Sequence, residues 1–173
     1  MASSPTVLVS AATKHGATLE IAEAIAAGLA RRGVSAQAKD AATVQALDDF
    51  DAVVIGSAVY AGRWLAPARE LVDRHFPGDG ARPVWLFSSG PVGEPDPKPE
   101  GDPVDVATVV AATAARDHRV FAGRIDRTRL GFAERAIVRA LRAPEGDFRD
   151  WEAIDAFAAE IAASLRGDGD PPR

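Results

Sequence analysis

Residues 7–18 join an apolar strand, a small hydroxyl-containing turn and the start of a helix without an intervening loop. The first backbone N–H groups of a helix have no intrahelical partner and carry partial positive charge, so a junction of this kind binds anions. Thr13 and Thr18 add hydroxyl donors, and Gly16 allows a ligand to approach the backbone closely. The junction therefore predicts a phosphate-binding turn. The turn comprises Thr13, Lys14, His15, Gly16, Ala17 and Thr18.

This turn matches neither of the two common nucleotide-binding loops. No Gly-x-Gly-x-x-Gly follows the strand, and the Lys-Ser/Thr pair of a Walker loop is missing. Ordinary turn and capping chemistry uses the same small polar residues, so that alternative stays open on the motif alone. The pattern Thr-x-His-Gly-x-Thr resembles the phosphate loop of flavodoxins, which holds the monophosphate of flavin mononucleotide (FMN).

Composition excludes several classes of protein. The chain has 173 residues and no cysteine, which rules out disulfides, thiolate metal sites and cysteine nucleophiles. Redox chemistry would then have to come from a bound organic cofactor, and we expect no metal site. Met1–Pro5 lacks the features of a signal peptide, and no apolar run approaches the roughly 20 residues of a membrane span. The expected location is the cytoplasm.

Five apolar runs alternate with helical patterns along the chain. The third and fourth runs, Ala52–Gly56 and Pro83–Ser88, are apolar without alternation, which is typical of strands covered on both faces. The alternation predicts an α/β fold, a doubly wound five-stranded parallel sheet in the order 2-1-3-4-5 with helices on both faces. The other predicted strands are Thr6–Ser10, Val34–Ala38 and His118–Ala122.

Apolar stripes and helix-stop residues predict the helices. The first stripe lies at Ile21, Ile25 and Leu29, with Gly33 as the stop. A second stripe begins at Leu65, with a proline in its first turn, and residues 104–116 are rich in alanine and valine. The last helix is expected to start after Asp150 as N-cap and to end before Gly167.

The expected domain covers residues 1–166, followed by a disordered tail at 167–173. Residues 90–103 hold five prolines and predict a long surface loop. Residues 123–147 exceed what a minimal five-stranded domain needs, and their apolar residues alternate with arginines in a helical pattern. We interpret this segment as an amphipathic insertion near the fifth strand.

Two further loops are expected beside the phosphate turn, because ligands bind open parallel sheets outside the carboxyl ends of the strands. Tyr60 is placed to stack on a flavin ring, and Trp64 either covers the far side of the ring or anchors the next helix. Gly62 lets the peptide rotate at low steric cost. The loop after the third strand comprises Ser57, Ala58, Val59, Tyr60, Ala61 and Gly62, and the loop after the fourth comprises Ser88, Ser89, Gly90, Pro91, Val92 and Gly93.

Three segments together resemble the flavodoxin-domain family that includes menaquinone-dependent protoporphyrinogen oxidase. They are the phosphate turn, residues 55–62 (Ile-Gly-Ser-Ala-Val-Tyr-Ala-Gly) and residues 146–151 (Gly-Asp-Phe-Arg-Asp-Trp). The resemblance implies that the FMN phosphate lies on residues 13–18 and the ring between residues 57–62 and 88–93. It also implies that residues 123–147 serve access of a substrate or quinone. Flavodoxins commonly have a hydroxyl residue or an acid at the position of His15, so His15 either binds phosphate or faces solvent.

Arginine is concentrated in one part of the chain. The formal net charge is −5, which gives no indication of nucleic-acid binding. Residues 116–142 nevertheless hold eight arginines against three acids. The sequence leaves three roles open for these arginines. They form a solvated face, they attract the carboxylates of a substrate, or they contact an anionic membrane surface. The candidates are Arg124, Arg127, Arg129, Arg135, Arg139 and Arg142.

The resemblance implies an FMN-dependent oxidoreductase that takes electrons from a reduced organic substrate, with protoporphyrinogen as the family's example, and passes them to a quinone. No side chain is assigned as a catalytic acid or base, since the cofactor carries this chemistry. Two alternatives stay open, an electron-transfer flavodoxin without its own substrate and a flavin-free binding module. Arg63, in a loop without acids, argues against a carrier of very low potential. A serine hydrolase is disfavoured because Ser88 and Ser89 lack a Gly-x-Ser-x-Gly elbow.

Overall fold

A twisted parallel sheet forms the centre of the computed structural model, which describes residues 4–60, 62–76, 82–90, 106–140, 142 and 144–167. Its strands follow the order β2-β1-β3-β5-β6, and all neighbours along this path are parallel. The short β4 pairs antiparallel with β3 at the end of the sheet. The bounds are β1 Thr6–Ala12, β2 Ser35–Asp40, β3 Ala52–Tyr60, β4 Arg63–Trp64, β5 Val84–Ser89 and β6 Asp117–Phe121.

Helices cover both faces of this sheet. Apolar residues of α1 and α5 pack with Val7, Val9 and Phe87 on one face, and those of α2 and α3 pack with Leu8 and Leu86 on the other. Helices on both faces confirm the predicted doubly wound α/β fold. The strand order is also confirmed, because β5 and β6 are the fourth and fifth predicted strands and the short β4 lies off the main path. The bounds are α1 Ala17–Arg31, α2 Ala66–His75, α3 Val106–Thr113, α4 Phe132–Ala140 and α5 Trp151–Gly167, and a 3-10 turn lies at Ala41–Thr43.

The helix ends largely follow the expected signals. Gly33 has a φ of 79° just after α1, in the left-handed region that glycine favours. The Asp150 carboxylate accepts a hydrogen bond of 2.9 Å from the backbone N–H of Ala153, so Asp150 caps α5 as predicted. The helix continues through Gly167 rather than ending before it. Among the helices of the described ranges, none combines the length and apolar character that crossing a bilayer requires.

The third strand departs most clearly from expectation. It runs to Tyr60 instead of ending at Gly56, because Ser57 and Ala58 continue the parallel pairing with β5 and the next two residues pair with β4. Of the residues expected to form a loop at 57–60, the first two therefore belong to the parallel sheet, and Val59 and Tyr60 form the rim of a β-hairpin. Hairpin pairing fixes the direction of their side chains more tightly than a free loop would.

The segment at 123–147 contains more than the expected helix. Two short strands, β7 (Arg124–Ile125) and β8 (Gly146–Asp147), pair antiparallel and bracket α4. Predictions for Ala61, Pro91, Val92 and Gly93, for the rest of the 90–103 loop and for the tail at 168–173 lie outside the described residues.

Candidate functional site

The phosphate turn has the backbone geometry of an anion-binding junction. Gly16 has a φ of 91°, and its N–H donates to the Thr13 hydroxyl at 2.9 Å. Helix α1 begins at Ala17, and no side chain caps its first turn. Thr18 is buried directly beneath the turn. The first N–H groups of α1 thus lack a side-chain acceptor, which is what a bound phosphate supplies.

The rim of the β3–β4 hairpin brings Tyr60 to the same end of the sheet. The Tyr60 side chain is partly exposed, and burial of its hydroxyl, with the nearby Glu134 carboxylate as a smaller cause, raises its pKa. The Lys14 ammonium lies 5.1 Å from the centroid of the Tyr60 ring. Gly62 turns the chain between the strands with a φ of 72°. An aromatic face is therefore available beside the phosphate turn.

Trp64 anchors the hairpin instead of covering a ligand. Its side chain is 1% exposed and packs in the core on the α2 face. The indole N–H donates to the Ser88 hydroxyl at 2.8 Å, and Ser88 also shares a hydrogen bond of 2.8 Å with His118. Ser57 accepts from the backbone N–H of Leu65 at 2.9 Å. Of the two alternatives for Trp64, the structure supports the anchor.

A cleft of about 230 Å³ connects these parts. Residues of segment 123–142, three of them on α4, supply its third wall. Four apolar residues of this segment line the wall, namely Ile125, Leu130, Ile137 and Val138. The other lining residues are Thr13, Lys14, His15, Ala17, Thr18, Ala58, Val59, Tyr60, Ser89, Gly90, Gly123, Arg124 and Glu134.

Glu134 ties α4 to the phosphate turn. Its carboxylate forms an ion pair with Lys14 and lies 3.0 Å from the His15 ring Nε2. It also accepts from the backbone N–H of Gly131 at 3.0 Å, which caps the start of α4. The hydrogen bond to Lys14 is the main cause of the lowered pKa of Glu134. Arg129 adds a second tie, because its guanidinium donates to the His15 carbonyl at 3.0 Å.

A charged cluster supports the turn from below. Arg149 is almost fully buried, and its guanidinium contacts Asp147 at 2.5 Å and Glu20 at 2.7 Å. It also donates to the carbonyl of Ala17, the first residue of α1. Hydrogen bonds to Arg149 are the main cause of the lowered pKa values of Glu20 and Asp147. Arg124 reaches the same Glu20 carboxylate at 3.2 Å.

Most of the predicted site residues within the described ranges come together. The structure does not place Ser57 and Ser88 in the cleft, because both side chains are fully buried on the α2 face, where they anchor the hairpin. Gly16 and Gly62 shape the backbone without lining the cleft. Residues of the cleft that the loop motifs missed are Gly123, Arg124, Ile125, Leu130, Glu134, Ile137 and Val138. The arginine-rich amphipathic pattern of 123–147 was the signal that pointed to this wall.

These features fit FMN. The turn offers uncapped N–H groups for a phosphate, the hairpin offers an aromatic face for a ring, and the two are joined by one cleft. In addition, Arg124 lines the cleft, and one buried nitrogen of its guanidinium has no hydrogen-bond partner among the described residues. An acceptor-rich group such as a phosphate would satisfy both kinds of donor.

Comparison with known proteins agrees with this geometry. The sequence model of the flavodoxin-domain family matches residues 8–152. Comparison with functionally curated proteins finds no match.

Solved structures share the fold at low sequence identity. A flavodoxin from the domain Archaea is 17% identical, with a TM-score of 0.61 over 93% of this chain and 99% of that one. The flavodoxin of Streptococcus pneumonia TIGR4 is 18% identical, with a TM-score of 0.61 over 92% and 99%. Rubredoxin oxygen:oxidoreductase from Desulfovibrio gigas is 14% identical, with a TM-score of 0.64; 97% of this chain aligns with 38% of that one.

The family match covers most of the chain, and it includes the phosphate turn, the hairpin and the segment that carries α4. FMN is the cofactor of this family, in agreement with the cofactor predicted from the turn. The chain belongs to the flavodoxin-domain family of FMN-binding electron-transfer proteins.

Proposed function

We propose that this protein is an FMN-dependent oxidoreductase that oxidises an apolar, carboxylate-bearing organic substrate of the protoporphyrinogen type and passes the electrons to a quinone. The observation that supports this proposal is the apolar wall that segment 123–142 adds to the cleft. An electron carrier exchanges electrons through an exposed ring edge and needs no such wall. Enclosure between an aromatic face and an apolar helix suits a large organic reactant.

Different residues of the cleft would contact the cofactor and the substrate. FMN, when bound, supplies the electron-transfer chemistry. Residues 13–18 would hold its phosphate and Tyr60 would contact its ring, whereas Leu130 and Val138 would face the substrate and keep water out. Each quinone takes up two electrons and two protons as it becomes a quinol, and the substrate loses the same number. The protein's part in this reaction is positioning and exclusion of water.

The apolar wall can be tested with one pair of variants on α4. Val138→Asp places a charge in the cleft, whereas Phe132→Asp changes a side chain that is 93% exposed on the same helix. We expect Val138→Asp to lower kcat/KM with soluble porphyrinogen and quinone at least roughly 10-fold, because a carboxylate is costly beside an apolar reactant. Phe132→Asp should keep the wild-type value, and both variants should retain FMN. Equal turnover in the three proteins would contradict the proposal.

An electron carrier without its own substrate is the second candidate. This candidate is favoured because the chain aligns with 99% of each of two flavodoxins of known structure. A carrier would accept electrons only from a reductase partner and would leave a porphyrinogen unchanged. A protein that neither retains FMN after purification nor takes it up would instead be a flavin-free binding module.

The outer face of α4 supports a further part of the proposal, peripheral contact with an anionic membrane surface. Phe132 is exposed on this helix, and Arg135 and Arg139, which follow it at helical spacing on the same face, are exposed too. Exposed apolar side chains beside arginines are typical of helices that lie at a lipid interface, where quinones dissolve.

Charge reversal tests this contact. An Arg135→Glu and Arg139→Glu double variant should bind vesicles containing anionic lipid at least roughly 30-fold more weakly, since each arginine near such a surface contributes about 1 kcal/mol. Co-sedimentation with vesicles of neutral and anionic lipid measures this effect. If lipid affinity and quinone-linked turnover both stay unchanged in the variant, these arginines do not contact the membrane.

A further inference from the structure

Arg124 stands out among the cations of the cleft because part of its guanidinium is unused. Its side chain is 20% exposed, and Nη1 lies 3.2 Å from a Glu20 carboxylate oxygen. The Nη2 atom is buried and has no hydrogen-bond partner among the described residues. A buried donor without a partner costs the free energy of its lost hydration, so such a group indicates an acceptor that binds there.

The other cations of the site already have partners of their own. Lys14 and His15 share the Glu134 carboxylate. Arg149 contacts Asp147 with both a terminal and the Nε nitrogen, and its remaining terminal nitrogen reaches Glu20 and the Ala17 carbonyl. By contrast, Arg124 shares the Glu20 carboxylate with Arg149, and its Nη2 has no partner among the described residues. Arg124 differs from these cations in having a buried donor that lacks a partner in the part of the chain that the structure describes.

The position of Arg124 indicates which anion this is. Glu20, which holds the guanidinium, lies in the first turn of α1. Ala17 and Thr18, the first residues of that helix, line the cleft together with Arg124. The guanidinium is therefore tied to the helix end where a phosphate would bind. Arginine is well suited to this role because its planar fork donates more than one hydrogen bond to a phosphate.

We propose that Arg124 donates from Nη2 to the phosphate of FMN, so that this chain discriminates phosphorylated flavin from riboflavin by an arginine of the inserted segment. The inference rests on FMN binding in the cleft, the premise of the proposed function. It deepens that premise by assigning a binding role to a residue more than 100 positions after the phosphate turn. Glu20 acts as a positioning residue, since it orients the guanidinium and leaves one nitrogen available.

Paired titrations with FMN and riboflavin test the assignment. Arg124→Gln should raise the Kd for FMN roughly 10- to 100-fold, the effect of losing a charge-assisted hydrogen bond. Its Kd for riboflavin should stay at the wild-type value, because riboflavin has no phosphate. Arg124→Lys keeps the positive charge but has fewer directed donors. Its Kd for FMN should therefore lie between those of the wild type and Arg124→Gln. Quenching of flavin fluorescence on binding gives both dissociation constants of each protein without any enzymatic turnover.

Arg139→Gln is the matched control, because it removes the same charge from an exposed arginine of the same segment. It should leave both constants unchanged, which separates a direct contact from a change in net charge. Thermal unfolding checks that each variant is folded, and Arg124→Lys carries the test if Arg124→Gln is not.

Other results would overturn the assignment. Equal loss of affinity for FMN and riboflavin would mean that Arg124 supports the fold of the cleft only. Unchanged FMN affinity together with a raised KM for a carboxylate-bearing substrate would mean that the guanidinium binds the substrate instead. Both outcomes leave the proposed function intact, whereas a wild-type protein that binds neither flavin would overturn the function and the assignment together.

Discussion

A Gly56→Ala variant is expected to be much less stable than the wild-type protein, because the added methyl group has no room. Its Cβ would lie 2.0–2.4 Å from three ring atoms of Phe87, the residue opposite Gly56 on β5. Phe87 is fully buried, and its ring packs against Phe121 with centroids 6.1 Å apart. Overpacking of such a site costs about 3 kcal/mol. In a chain of this length, that loss lowers the melting temperature by roughly 6–12 °C.

Thermal unfolding with two comparison variants checks this expectation. Gly167→Ala is the control, because its Cβ would meet nothing within 4 Å and its backbone has no positive φ. Adding Phe87→Leu to Gly56→Ala should recover part of the lost stability, since the smaller side chain frees space over position 56. A Gly56→Ala protein as stable as the wild type would show that the Phe87 ring does not cover Gly56.

Trp64→Ala is expected to have the second large effect. The side chain is among the largest fully buried ones, and its removal leaves a cavity under the β3–β4 hairpin. Loss of a buried tryptophan costs about 3–5 kcal/mol. Because β4 holds the rim that carries Tyr60, the variant should also bind FMN more weakly. Trp64→Phe keeps most of the packing, loses the hydrogen bond to Ser88 and should cost only about 1 kcal/mol.

Denaturant unfolding and FMN titration of the same proteins measure both consequences. Trp151 provides the matched control, since it is 44% exposed and its ring lies 4.5 Å from the Arg149 guanidinium. Trp151→Ala should cost about 1 kcal/mol or less. If Trp64→Ala were no more damaging than Trp151→Ala, the indole would not be the anchor of the hairpin.

Local sequence patterns were sufficient for the architecture. The unbroken apolar runs around Val54 and Leu86 identified central strands, because a strand covered on both faces has no polar side. Small residues between β1 and α1 predicted a tight turn there, because only a glycine readily adopts the φ of 91° found at position 16. The five-stranded order followed from the alternation of strands and helices.

Contacts between distant parts of the chain could not be predicted in this way. β3 continues past Gly56 because its next residues pair first with β5 and then with β4. A strand of only two residues, such as β4, leaves no periodic pattern from which this pairing could be predicted. Extension of the strand also decided which face each side chain takes, so Ser57 points to the core while Tyr60 lines the cleft. The bond between His15 and Glu134 joins residues 119 positions apart. Such a contact depends on how the insertion folds over the site.

The most direct test of FMN binding in the cleft is a crystal structure of the protein with FMN. We expect one FMN in the cleft, with its phosphate on the backbone of residues 13–18 and within hydrogen-bond distance of Arg124, and with its ring against Tyr60 and beside α4. A cleft that stays empty at saturating FMN, or FMN bound at another place, would contradict this binding mode.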